Sequence, residues 1–157
     1  MLLSETIRLG EFAAAPVYKH WLIQKNGGTC GCAVGRTVIA AGFQLDKRQP
    51  VASFFKITDF FNKQWPWTLE VDQADVPLTY HGAKVKIFYY GYFNEQGMNE
   101  NPVLYYMSDL YENHKYTIQQ IADAIEKLEA KYNITEDNNE RSGSIQQDSN
   151  TPALARA

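Results

Sequence analysis

The sequence predicts one α+β domain: N-terminal helices with a buried helix at their centre, a small antiparallel sheet, a closing amphipathic helix and a disordered polar tail. Three observations carry this. The hydrophobic pattern changes from helical spacing to alternation after Trp67. Thr117 stands three residues before Gln120, the spacing of a capping box, and an apolar stripe follows. The chain has 157 residues, of which 45% are hydrophobic and 13% aromatic, enough for one core and too few for two.

Taken in order, Ser4–Phe12 reads as a short amphipathic helix. Pro16 suits a first helical position, so Val17–Gln24 reads as a helix that ends at the Asn26-Gly27 break. The rest is organised around residues 27–42. Thr29 reads as an N-cap, Cys30–Ala41 as a buried helix, and Gly42 as the residue just past its end. Its stripe is Cys30, Ala33, Val34, Val38 and Ala41, widened by Ile39 and Ala40, which implies burial on most sides. Gln44–Gln49 is a polar connector, Pro50 opens Val51–Phe55, and Thr58 reads as the cap of Asp59–Gln64. Phe54, Phe55, Ile57, Phe60 and Phe61 read as core.

Thr68–Asp72 alternates, with Leu69 and Val71 on one side, and Lys84–Tyr92 alternates more clearly, so both read as strands. Asn94–Asn101 is a polar turn region. Pro102–Tyr111 fits either a strand that completes a meander or a helix with Leu104, Met107 and Tyr111 on one face, and periodicity leaves both open. Ile118–Tyr132 is the best-marked helix, with Ile118, Ile121, Ala122, Ile125, Leu128 and Tyr132 as its stripe. The domain is expected to span residues 1–133. Residues 134–157 lose all periodicity and read as a flexible tail, or a segment that orders only against a partner.

Net charge is -3. Glu136, Asp137, Glu140 and Asp148 against Arg141 and Arg156 place most of it in the tail and leave the body close to neutral. No basic patch marks a nucleic-acid surface, and Lys84 and Lys86 read as the solvent face of a strand. Glu5, Arg8 and Glu11 interrupt the start, and no apolar run approaches roughly 18 residues, so neither a signal peptide nor a membrane span is expected. The chain is expected in the cytoplasm with both thiols free. Cys30 and Cys32 lack a matching second pair, and Gly27-Gly28 lacks a following Gly-Lys-Ser/Thr, so no metal and no cofactor is expected. His20 and His114 read as partly exposed positions without a role.

A thiol at a helix N-terminus faces unpaired N–H groups and the positive end of the dipole, both of which favour thiolate. A cysteine nucleophile also needs a base, a group to orient that base, and a donor for the oxyanion. The chain offers Gln24 as donor, Cys30 as nucleophile, His81 as base and Asp109 as orienter. This order, with Cys30-Gly31 at the presumed helix start, resembles the papain-like cysteine peptidases of the bacteriocin-leader-processing kind. The resemblance implies a Cys30–His81–Asp109 triad with Gln24 beside it. It departs from the family at Cys32, where proline is usual, and at His81, which Gly82-Ala83-Lys84 follows.

A second resemblance rests on Cys32-Ala33-Val34-Gly35-Arg36, on Met107-Ser108-Asp109 and on the terminal amphipathic helix. These are similar to small uncharacterised domains of phages and bacteria. That likeness implies a structural helix with Cys32 as a small buried hydrophobe, a helical Pro102–Tyr111, and no catalytic part for Asp109. The leading expectation is therefore a non-enzymatic phage or bacterial accessory protein that binds a macromolecule, most simply another protein through a tyrosine-rich face. The other expectation is the cysteine hydrolase.

Overall fold

The computed structural model describes residues 1–78 and 101–140. Helix α1 (Leu3–Gly10) matches the expected first helix. The next stretch does not. Leu22–Lys25 is not helical but a strand, β2, joined to β3 (Gly28–Gly31) by a two-residue turn. Asn26 and Gly27 both have positive φ, 52° and 79°, the backbone a type I′ hairpin demands and the one Asn-Gly tolerates best. The short strand β1 (Ala15–Pro16) lies parallel to β3 on its other side, giving the order β1-β3-β2. Outside β2, Val51 forms an isolated bridge to Ile23, with Gln24 N–H donating to the Pro50 carbonyl at 2.8 Å.

Helix α2 (Ala33–Ala40) is the buried central helix, but it starts three residues later than its apolar run suggested. Cys30 belongs to the strand, so Thr29 caps nothing. Six consecutive residues, Ala33 to Val38, are buried. Gly35 explains how the helix comes so close to the loop before β2: a Cβ there would stand 1.6 Å from the Trp21 carbonyl oxygen. Helices α1 and α2 pack on each other, and α1 also packs on the last helix.

Helix α3 (Phe54–Gln64) begins earlier than expected. Its cap is Ser53, whose hydroxyl accepts from Phe55 N–H at 3.2 Å, while Thr58 is buried mid-helix. Pro66 then starts a 3-10 turn over Pro66–Glu70, so Thr68–Asp72 is not a strand; a second turn spans Gln73–Asp75. The expected strand Lys84–Tyr92 lies outside the described residues, so among those residues the sheet is the mixed one formed by β1, β2 and β3.

The ambiguous Pro102–Tyr111 is helical, as part of α4 (Pro102–Glu112). Buried Asn101 caps it: its side-chain oxygen accepts from Val103 N–H at 2.9 Å, and its amide donates to Asn62 and Thr68, each at 2.8 Å. Helix α5 (Ile118–Lys131) carries the expected capping box, Gln120 N–H to Thr117 at 3.1 Å and Thr117 N–H to Gln120 at 2.8 Å. One apolar cluster joins Ile7, Val34, Phe61, Trp65, Met107 and Ile125, drawing on all five α-helices among the described residues.

The fold does not stop at Asn133. Ile134 is buried in that same cluster and Asn139 is 1% exposed. Glu136 meets the Met1 ammonium at 3.2 Å, and Trp65 Nε1 donates to the Met1 carbonyl at 3.2 Å. The start of the expected tail, Ile134–Glu140, is thus packed on the body.

Candidate functional site

The sulfur site takes a different shape from the one its spacing suggested. Cys30 sits on the central strand, opposite Ile23 on β2 and Ala15 on β1. It has no helix N-terminus beneath it. Gln24 pairs with Thr29, one residue along the ladder. Successive side chains on a strand point to opposite faces, so Gln24 and Cys30 project from opposite sides of the sheet. An oxyanion donor for Cys30 cannot come from Gln24 in this register.

The helix N-terminus belongs to Cys32, which is the N-cap of α2 and fully buried. Desolvation pushes its thiol up to about 12, and the Gly35 and Val34 N–H groups offset only part of that. The cysteine at the dipole is therefore the inert one. Arg36, in the same run, is buried and donates from its guanidinium to the Glu11 carbonyl at 3.3 Å, near the end of α1.

Asp109 lies in α4 with its carboxylate buried. Asn113 donates to it at 2.5 Å, and Nε2 of His114 stands 3.6 Å from its other oxygen. Between these residues the helix ends: Asn113 and His114 N–H both reach back to the Asp109 carbonyl, and Lys115 has φ 56°. The structure thus brings Asp109 to His114, a histidine to which the sequence assigned no role. His81 lies outside the described residues.

A different concavity is better built. An open groove of about 580 Å³ runs along the outer side of α5. Gln120, Asp123, Ala124, Lys127, Leu128 and Lys131 line it at helical spacing. Tyr106 of α4 and Tyr116, just before α5, form one wall, and Ala74 and Asp75 of the second 3-10 turn form the other. Ala124 and Leu128 make an apolar strip between charged neighbours.

Most of the charge in the groove is already matched inside the protein. Asp75 accepts from Lys131 and, at 2.5 Å, from Tyr132. These bonds, Lys131 first, hold its carboxyl below the ordinary range. Tyr132 in turn accepts from Asp72 N–H at 2.8 Å, and burial followed by the Asp75 bond pushes its phenol up to about 12. Asp123 shares Arg8 Nη2, at 2.9 Å, with Glu126, at 2.7 Å. Lys127 has no carboxylate within ion-pair distance among the described residues. Burial, then Tyr116 and Asp109, raises the Tyr106 phenol, which keeps that side chain neutral near pH 7.

Gln120 and Leu128 were marked in the sequence only as cap and core, and no motif marked the other groove residues. The signal available was the edge of the core stripe on α5, where Leu128 and Ala124 border Asp123, Lys127 and Lys131. Tyr106 and Tyr116 lie within twenty residues of Ala124, but Ala74 and Asp75 lie about fifty away, which spacing alone does not join. Among the described residues no group of three or more His, Cys, Asp or Glu could hold a metal ion. No helix among them is long and apolar enough to cross a membrane. Comparison of the chain with protein families, curated proteins and solved structures finds no match.

Proposed function

We propose that this chain is a non-enzymatic binding protein, an accessory protein of a phage or bacterium, that receives a segment of another protein in the groove along α5. The observation that carries the reading is that groove: a concavity three helical turns long, lined by two tyrosines, with an apolar floor and, among the described residues, one lysine without an ion-pair partner. Aromatic walls with polar tips suit a protein interface, because the ring is covered while the hydroxyl stays hydrated.

Against the hydrolase reading, no helix N-terminus underlies Cys30 and Gln24 projects from the other face of the sheet, while the base His81 lies outside the described residues. Binding is the simpler use of what is present. The test is capture of partners from an extract of the producing cells, with the wild-type chain and with Ala124→Arg. That substitution fills the floor of the groove at a half-buried position that borders the core, so its thermal midpoint is measured beside the wild type to show that it folds. A partner retained by the wild type and lost with Ala124→Arg supports the proposal. Equal capture by both proteins refutes it.

A further inference from the structure

The hydrogen-bonding groups of the groove say what kind of segment would fit. Its described charges cancel: Asp75 is held by Lys131, Arg8 Nη2 is shared between Asp123 and Glu126, and Lys127 makes the third cation against three carboxylates. A charged occupant of either sign therefore gains no net attraction over an uncharged one. What the groove retains is a set of free donors. Among the described residues, the hydroxyls of half-buried Tyr106 and Tyr116 have no hydrogen-bond partner. Gln120 uses only its side-chain oxygen, which accepts from Thr117 N–H at 2.8 Å, and leaves its NH2 group free. Phenols both donate and accept, whereas the Gln120 NH2 and the Lys127 ammonium only donate. Acceptors are fewer: both oxygens of Asp75 are taken, by Lys131 and Tyr132, and Asp123 stands open to water.

Those donors select among backbones. A helix laid along the groove would have its carbonyls bonded internally, and it would need a trough wider than the single strip of Ala124 and Leu128. A β-like segment brings as many N–H groups as carbonyls, and the N–H groups would face donors. A proline-rich segment in the polyproline II form makes no internal hydrogen bonds, and each proline removes an N–H, so it presents mainly acceptors. The groove follows α5 from Gln120 to Lys131, roughly 16 Å at about 1.5 Å per residue, which about five such residues span at about 3.1 Å each. Pyrrolidine rings are apolar and uncharged and pack on aromatic faces. We infer that the groove takes a short uncharged proline-rich segment of a partner protein, its rings against Tyr106, Tyr116 and the Ala124–Leu128 strip and its carbonyls accepting from the two phenols and Gln120. This rests on the reading of the groove as the docking surface.

The experiment is selection from a random short-peptide library on the full chain, followed by fluorescence polarisation with the selected labelled peptides in low and high salt, about 0.05 and 0.5 M. The expected consensus repeats proline and requires neither an acidic nor a basic residue. Affinity is expected to stay within about twofold between the two salts, because dipoles rather than net charges hold the peptide. Tyr106→Phe and Tyr116→Phe keep each ring and remove its hydroxyl, and each is expected to weaken binding about fivefold. Lys127→Gln keeps a donor without the charge and is expected to bind within about twofold of the wild type. A consensus that requires an acidic or a basic residue, affinity that falls more than about fivefold in high salt, or affinity indifferent to both Phe variants overturns the inference.

Ala124→Arg separates the two levels of failure. If it abolishes binding of selected peptides that lack proline, the groove is the docking surface and the proline preference is wrong. If it binds the selected peptides as the wild type does, the groove reading itself fails. A library that yields no binding peptide overturns the inference and leaves capture from the extract to judge the groove. Unchanged thermal midpoints of the two Phe variants confirm that both are folded.

Discussion

Two cysteines separated by one residue have opposite characters because a strand ends between them. Cys30 is half-buried on β3, while Cys32 is sealed under α2 with its thiol near 12. A thiol reacts through its thiolate, so burial and its raised pKa disfavour Cys32 and leave Cys30 as the accessible one. In the native protein at about pH 8.5, iodoacetamide is expected to add one group, at Cys30, and a second only in guanidinium; intact-mass measurement checks this. Two groups under native conditions would contradict the burial of Cys32. Glu129 makes a similar point about acids. It is buried in α5 and accepts from Ser4 N–H at 3.0 Å and from the Ser4 hydroxyl at 2.5 Å, at the start of α1. Burial, the largest influence, nevertheless raises its carboxyl above the ordinary 4.5. The folded state therefore keeps a proton that the unfolded state releases, and stability falls as pH rises through that interval. Glu129→Gln lacks this titration, so it should gain stability relative to the wild type from pH 4 to pH 7 in urea unfolding curves. A constant difference across that range would show that the Ser4 bonds, not burial, govern the group.

At the scale of elements, Asn101 does most for its size. It caps α4 and ties that helix to α3 and the first 3-10 turn through two side-chain bonds. Asn101→Ala is expected to cost about 2–3 kcal/mol in denaturant unfolding, more than a cap alone, because Asn62 and Thr68 lose a buried donor. A loss below about 0.5 kcal/mol would mean that water replaces it. The pair Asn101-Pro102, a capping residue before a proline at the first helical position, was itself a helix signal, although hydrophobic period left that stretch open. Helix α5 was legible because amphipathic spacing and a capping box agreed, and α1 from amphipathic spacing alone. Val17–Gln24 was misread because Pro16 suits a helix start, whereas Asn26-Gly27 marks the turn of a hairpin. The start of α2 was misread because an apolar run looks alike in a buried strand and a buried helix, and Cys30 and Cys32 fall on either side of that change. The groove was illegible because Tyr106, Asp75 and Lys127 meet only after folding.

At the scale of the molecule, the two ends of the described chain close the same core. Ile134 packs into the apolar cluster, Ile134 N–H donates to the Glu129 carbonyl at 2.8 Å, and Glu136 holds the Met1 ammonium. A chain ending at Asn133 is therefore expected to melt below one ending at Glu140. Burial of an isoleucine side chain is worth about 2 kcal/mol, which in a domain of this size is a shift of several degrees by calorimetry. Equal midpoints would mean that residues 134–140 contribute nothing to the core. The central packing is equally unforgiving: Gly35→Ala would drive a methyl into the Trp21 carbonyl, so this variant should fail to reach the native fold or unfold at far lower urea.

The turn at Asn26-Gly27 carries a consequence in time. Glycine leaves its amide nitrogen unshielded, so that nitrogen can attack the asparagine side-chain amide, expel ammonia and close a succinimide. Water then opens the ring to aspartate or to isoaspartate. Aspartate tolerates the same left-handed backbone and leaves the hairpin intact. Isoaspartate lengthens the main chain by one carbon and disturbs the pairing that sets Ile23 opposite Cys30. Slow chemical ageing at this one tip would thus loosen the small sheet from its hairpin end, leaving a mass increase of about one dalton as its record.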